Sequence, residues 1–324
     1  MWNKRGDEKT MKSGKDRLAK KKIKSGFIRE MRKNWQLYFL LLPAVIYILL
    51  FVYKPMSGIL IAFEDYSLKK GIWGSKWIGL DNFSRLFRSY WFPIALKNTL
   101  TLSVLTLLIG FPVPIILALA VNELRQGLFQ KSLQTVSYAP HFISTVVICG
   151  MLRIFLNAEY GIINHLIGLF GADSVSFLSK PELFKWVYVL SDIWQNTGWN
   201  AIIYFAALSG VDKALLEAAE IDGANRLQRI RYINFPVLIP TIIIMLILQC
   251  GSLLSVGYEK VYLLQNDLNL SSSEVLSTYI YKVGLQDNDF AFSTAAGFFN
   301  SVVNGTILII VNRLAGKISD SSLW

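Results

Sequence analysis

Cysteine, histidine and charge are all scarce in this chain of 324 residues. It holds two cysteines and two histidines. No Cys/His cluster has metal-ligand spacing, and Cys149 and Cys250 both sit inside apolar runs, where a thiol behaves as a small hydrophobe. Neither redox nor metal chemistry is expected. The phosphate-binding pattern G-x-x-x-x-G-K-[ST] is missing too, so the chain is not expected to cradle ATP in that familiar way. Charged residues reach only 17%, against about 25% in soluble domains. Hydrophobic residues make up 53%, which leaves too little polar surface to cover a soluble core. Disorder, a collagen-like repeat and a disulfide-rich secreted scaffold are excluded by the same composition.

What charge there is lies unevenly. The net charge is +11, and residues 1–34 hold thirteen Lys/Arg against four Asp/Glu. A basic tail ahead of a nearly neutral, greasy remainder points to membrane lipid as the partner, not to nucleic acid. Ile23, Phe27, Met31 and Trp35 recur every four residues, with Lys24, Arg29, Arg32 and Lys33 largely off that stripe. The spacing predicts an interfacial helix over 20–35, with residues 1–19 a solvated linker. The apolar run that follows ends in Val52-Tyr53-Lys54-Pro55 with no small-residue cleavage site, and is read as a retained span, not a secretory signal.

A bilayer core of about 30 Å needs roughly 17–25 apolar residues per helix. Six stretches qualify: Trp35–Tyr53, Asn98–Val121, Leu133–Leu152, Phe184–Leu208, Val237–Val256 and Ser293–Asn312. None alternates polar and apolar residues as a membrane β-barrel strand would. The fold class expected is therefore an all-α integral membrane protein. With both termini cytoplasmic, the inner segments hold 21 Lys/Arg and the outer ones 10, as the positive-inside rule requires. Phe83, Leu86, Phe87 and Tyr90 are expected to lay the outer segment 81–90 along the external interface. Gly110, Pro112 and Pro114 interrupt the second span. Gly297 and Ser301, four apart, read as a close-packing pair on the sixth.

One inner segment, 209–236, carries four acids and four bases within an Ala- and Leu-rich stretch. Asp212 can cap a short amphipathic helix, Gly223 can end it in a left-handed conformation, and a second short helix leads to Pro236. The order is Glu217-Ala218-Ala219, three residues, Gly223, nine residues, Ile233, one residue, then Phe235-Pro236. This spacing resembles the cytoplasmic signature of permease subunits of binding-protein-dependent ABC importers. Trp77-Ile78-Gly79-Leu80-Asp81-Asn82-Phe83 and Asn98-Thr99 resemble the maltose-permease-like, carbohydrate-importing branch, and Tyr138-Ala139-Pro140-His141-Phe142-Ile143-Ser144 the complex-oligosaccharide and alginate subgroup. The resemblance implies a type I importer permease fold: a basic tail over 1–34, six spans over 35–314 and a C-terminal tail over 315–324. It also implies a location in the bacterial cytoplasmic (inner) membrane. The partners implied are a second, homologous permease, two ATPase subunits that carry ATP and Mg, and an extracellular or periplasmic solute-binding protein delivering an oligosaccharide. No cofactor is expected on this chain, which is not itself an enzyme. Glu217, Ala218, Ala219, Gly223, Ile233 and Pro236 are the positions that would couple it to the ATPases, with Glu217 meeting a basic residue.

Polar groups at membrane depth are costly and face a bundle interior or a wet cavity. Tyr188, Asp192, Gln195, Asn196 and Trp199, with Asn200 adjacent, trace one face of the fourth span. Gln249 and Ser252 on the fifth, and Asn300 and Asn304 on the sixth, can face them. Aromatic rings, amides and a carboxylate suit a sugar pathway; equally, they can glue helices together. His141 is expected to make a structural hydrogen bond, and Arg153 to snorkel outward. A gradient-driven transporter working through Asp192, a membrane scaffold, and an ABC permease for another solute class are the alternative readings.

Overall fold

The computed structural model describes residues 33–125, 127–318 and 322–323. The tail stripe of Ile23, Phe27 and Met31 lies outside the described residues. The chain divides into two units, 1–58 and 59–324. In the first, α1 (Trp35–Ile48) passes through a wide π turn at Leu49–Tyr53.

The second unit is helical but for two short strands, β1 (Glu64–Asp65) and β2 (Lys76–Trp77), which pair antiparallel. Its helices are α2 (Asp81–Arg88), α3 (Trp91–Leu105), α4 (Pro112–Asn122), α5 (Leu128–Tyr138), α6 (Thr145–Phe155), α7 (Ile162–Leu169) and α8 (Pro181–Leu208). After them come α9 (Lys213–Ile221), α10 (Arg226–Arg229), α11 (Phe235–Cys250), α12 (Tyr258–Leu264), α13 (Leu270–Ser273), α14 (Leu276–Tyr281) and α15 (Phe290–Ile318). Four continuous helical stretches are long and apolar enough to cross a membrane: Trp35–Phe63, Trp91–Asn122, Arg226–Cys250 and Phe290–Lys317. The bent pair α5–α6 makes a fifth if it counts as one span. At 28 residues α8 is long enough, but its polar side chains lower its hydropathy.

Prolines account for most of the differences from the expected spans. Pro112 has no N–H to give, and the helix absorbs it in a π turn at Thr106–Gly110, where Phe111 N donates to Thr106 O at 3.1 Å. The second span therefore runs unbroken across Gly110, Pro112 and Pro114. A similar turn at Ile230–Asn234 carries α10 into α11, so the helix passes through Pro236 where the sequence suggested a stop. The third stretch is a correction: Leu133–Leu152 is not one helix. Pro140 lies in a tight 3₁₀ turn, Ala139–Phe142, and Ser144 starts α6 by accepting from Val147 N at 3.4 Å, with a 95° bend between the two helices.

In segment 81–90 the apolar side chains divide: Phe87 and Tyr90 stay exposed, while the other face of α2 packs on protein. Leu86 is fully buried with Phe92, Leu254 and Leu276, and Phe83 contacts Phe63 and Phe298. Asn82 holds this corner by donating to Ala62 O (3.1 Å) and Glu64 O (3.0 Å), while Trp77 stacks on Phe63. Asn98 Nδ2 donates to Ser271 O and Glu274 O, both at 2.9 Å, and Thr99 Oγ1 accepts from Leu276 N. These bonds fasten the 270–276 stretch to α3.

At the centre lies α8, packed along α4, α5 and α11. Ala201, Tyr204 and Leu208 meet Ile115, Ala118 and Leu238, and Phe184 and Val189 join Val256 and Val261. The closest approach is at Gly198, where a Cβ would stand 2.0 Å from Ser137 O, so α5 and α8 cross backbone to backbone. Nothing lies within 4 Å of a Cβ at Gly297, so the pairing read from Gly297 and Ser301 is not used within this chain.

Candidate functional site: a capped loop and a polar cleft

The 209–236 segment folds by local chemistry. Asp212 caps α9 by accepting from Ala214 N at 2.9 Å. Gly223 turns the chain with φ +81°, and Asn225 and Gln228 form a reciprocal capping box, at 2.8 and 2.9 Å, that starts α10. Glu217 and Ala218 are exposed on α9, and Glu217 makes no ion pair among the described residues. Ala219, Gly223 and Ile233 line a shallow hollow of about 300 Å³. Leu215, Ile221, Leu227 and Tyr232 stand exposed around it. A helix that shows apolar groups and an unpaired carboxylate to its surroundings has the chemistry of a docking element.

A group that carries no distinguishing signal in the sequence locks this loop to the helices above it. Glu123, just beyond α4, accepts from Arg229 at 3.0 Å and from Asn234 Nδ2 at 2.8 Å. Arg229 also pairs with Glu220 on α9. One arginine therefore ties α9, α10 and the end of α4 together.

The polar face of α8 divides into two rows. Asp192, Asn196 and Asn200 line a cleft of about 330 Å³, closed by Thr106 and Phe111 on one side and by Gln249 and Ser252 on the other. Tyr188, one turn earlier, lines a smaller hollow of about 130 Å³ that shares Gln249 and Ser252. Gln195 and Trp199 turn instead towards the α5–α6 break. Gln195 Nε2 donates to Ile143 O at 3.4 Å, and Trp199 stacks on His141 with ring centroids 4.4 Å apart. His141 Nδ1 lies 3.0 Å from Asn196 Oδ1, a hydrogen bond that joins the break to the cleft row. Asn300 and Asn304 lie apart from the cleft. Asn304 accepts from Leu254 N at 2.9 Å and donates to Ser255 Oγ and Asn300 Oδ1, fastening the turn that ends α11 to α15.

Asp192 is not a free carboxylate. Its Oδ1 accepts from Asn196 Nδ2 at 3.0 Å and lies 3.6 Å from Lys260 Nζ on α12. Lys260 was invisible as a site residue because it is a single lysine beyond the end of an apolar run. Arg153, near the end of α6, donates to Leu263 O and so grips α12.

The geometry is accompanied by close likeness to known proteins. The family described as binding-protein-dependent transport system inner membrane component matches residues 110–320. The polygalacturonan/rhamnogalacturonan transport system permease protein YteP of Bacillus subtilis (strain 168) is 44% identical over 307 residues, 95% of this chain and 96% of that one. Protein LplB of the same organism is 42% identical, over 90% of this chain and 92% of its own. A crystal structure of a bacterial alginate ABC transporter, in complex with an alginate pentasaccharide-bound periplasmic protein, contains a similar chain. It is 41% identical, with a TM-score of 0.84, covering 91% of this chain and 99% of that one. The membership that the Glu217 to Pro236 spacing pointed to is therefore established: this chain belongs to the binding-protein-dependent transport system inner membrane component family.

Proposed function

We propose that the chain is one of two membrane-spanning subunits of an ATP-driven ABC importer, forming half of the pathway for an acidic oligosaccharide handed over by an external solute-binding protein. The observation that carries the reading is the cleft of Asp192, Asn196, Asn200, Gln249 and Ser252 among three long helices. Amides, a hydroxyl and a carboxylate at membrane depth match the hydroxyls of a sugar, and water alone would be a costly reason to keep them there. The acidic substrate class draws support from the polygalacturonan and alginate named for two similar proteins. Six spans follow if α1, α3–α4, the bent pair α5–α6, α8, α10–α11 and α15 each cross once. The basic tail then sets both termini in the cytoplasm of a bacterial inner membrane.

In this reading α9 is the coupling helix. Glu217 reaches a basic residue in a groove of an ATPase subunit, and Leu215, Ile221 and Tyr232 supply apolar contact. ATP and Mg belong to those subunits. The other half of the pathway comes from a homologous permease. A gradient-driven mechanism through Asp192 loses support from its pairing with Lys260 and Asn196. The test is uptake by proteoliposomes holding the full transporter, with binding protein outside and ATP inside. Acidic oligosaccharides are expected to accumulate only when both are present. Accumulation without ATP, driven by an imposed proton or sodium gradient, would rule the reading out.

A further inference from the structure

The ion pair between α8 and α12 is built in a way that a structural link does not need. Lys260 is 5% exposed, and its Nζ has no hydrogen-bond acceptor. Its neighbours are Asp192 Oδ1 at 3.6 Å and the face of the Tyr188 ring at 5.4 Å. An ammonium has three donors, and the single carboxylate beside this one, at 3.6 Å, cannot engage them all, so its burial is incompletely compensated. Asp192 compensates only in part, because the same oxygen also accepts from Asn196. The Asp192 side chain remains 27% exposed and lines the cleft. No residue lining that cleft carries a positive charge. On this half of the pathway an acidic sugar would meet a carboxylate and no cation, apart from the ammonium 3.6 Å from that carboxylate.

We propose that Lys260 is the counterion for a uronate carboxylate in the cleft, exchanging Asp192 for the sugar's carboxylate while the sugar passes. The inference rests on the oligosaccharide-import reading above and names the residue that would set its preference for acidic substrates. Before the sugar arrives, Asp192 is the anion beside the buried lysine. During passage the sugar's carboxylate takes up the unspent donors, and Asn196 keeps Asp192 hydrogen-bonded. Afterwards the pair closes again. Such an exchange binds the anion in transit without trapping it, because every departing carboxylate is replaced by Asp192.

The test uses the complete transporter in proteoliposomes, with trigalacturonate and its carboxyl-reduced, neutral counterpart as probes at saturating binding protein. The variants are Lys260→Arg and the double variant Asp192→Asn/Lys260→Gln, which removes both charges and leaves neither stranded. The double variant is expected to lower trigalacturonate uptake about tenfold relative to the neutral sugar, normalised to the wild-type ratio. Lys260→Arg, which keeps the charge, should stay within about threefold of wild type. Equal loss of both sugars, through failed assembly or otherwise, would mean a purely structural pair and overturn the inference, as would an unchanged ratio. If wild-type transporter takes up neither probe, the import reading itself fails, a result distinct from an unchanged ratio.

Discussion

At the scale of single residues, Glu217, Gly223 and Gly198 separate three kinds of dependence. Glu217 is exposed and unpaired, so Glu217→Lys should leave the chain folded and inserted. It should lose its ATPase subunits on purification, because reversing one side of a buried charge pair at an interface costs several kcal/mol. Retention of those subunits together with full uptake would show that α9 is not where they dock. Gly223→Val should act without any clash, since nothing lies within 4 Å of a Cβ there. Its φ of +81° makes a β-branched residue cost about 1–2 kcal/mol or more. Gly198→Ala is steric: its Cβ would overlap Ser137 O, forcing α5 and α8 apart and lowering the unfolding temperature in detergent. Gly297→Ala, with open space around it, should leave that temperature unchanged. The sequence pointed to Gly297 because spacing along one helix is visible there, whereas the partner backbone that makes Gly198 irreplaceable lies some sixty positions away.

At the scale of elements, the Asp212 cap and the Gly223 turn of the 209–236 loop were read from the sequence, whereas the Asn225–Gln228 capping box was not. Asp212, Gly223, Asn225 and Gln228 all act on residues within three or four positions, and local bonds leave local signatures. What ties the loop to the spans was not readable, because Glu123 meets Arg229 across 106 positions. Replacing Glu123 by Gln should weaken that link by about 2 kcal/mol or more. The amides of 226–234 should then exchange hydrogen for deuterium faster than in wild type, while α15 is unaffected. Equal protection in both proteins would mean that the link carries no load. The α5–α6 break escaped hydropathy for a different reason: a running average of apolarity holds no information about direction, and the 95° bend is set by Pro140 and the Ser144 cap. On α8 the period of polar residues was right, but it could not say that Asp192 and Asn196 face one helix pair while Gln195 and Trp199 face another.

At the scale of the whole molecule, the proposed six crossings with both termini inside make a prediction that does not depend on any side-chain contact. Single cysteines at Asp173 and Ser272 should react with a membrane-impermeant maleimide added to intact cells or right-side-out vesicles. One at Lys15 should react only after the membrane is opened. Labelling of Lys15→Cys from outside, with the other two protected, would invert the topology. The family was legible because its motif lies in one short run of sequence, Glu217 to Pro236, where spacing can be read directly. The cleft was not, because its amides come from two helices, Asn196 and Asn200 on α8 and Gln249 on α11, and neither helix bears a signature alone. The uninterrupted helix from Arg226 to Cys250 carries one more consequence through its wide turn at Ile230–Asn234. A π turn holds one residue more than an α turn, so deleting a single residue there would restore ordinary helical pitch while removing one step of about 100°. The short segment just before the deletion, α9 and α10, would then be aimed in a different direction relative to α11, at the expense of the bonds that Arg229 and Asn234 make to Glu123. The length of that one turn acts as an angular setting, so a codon gained or lost there would redirect the exposed face of α9.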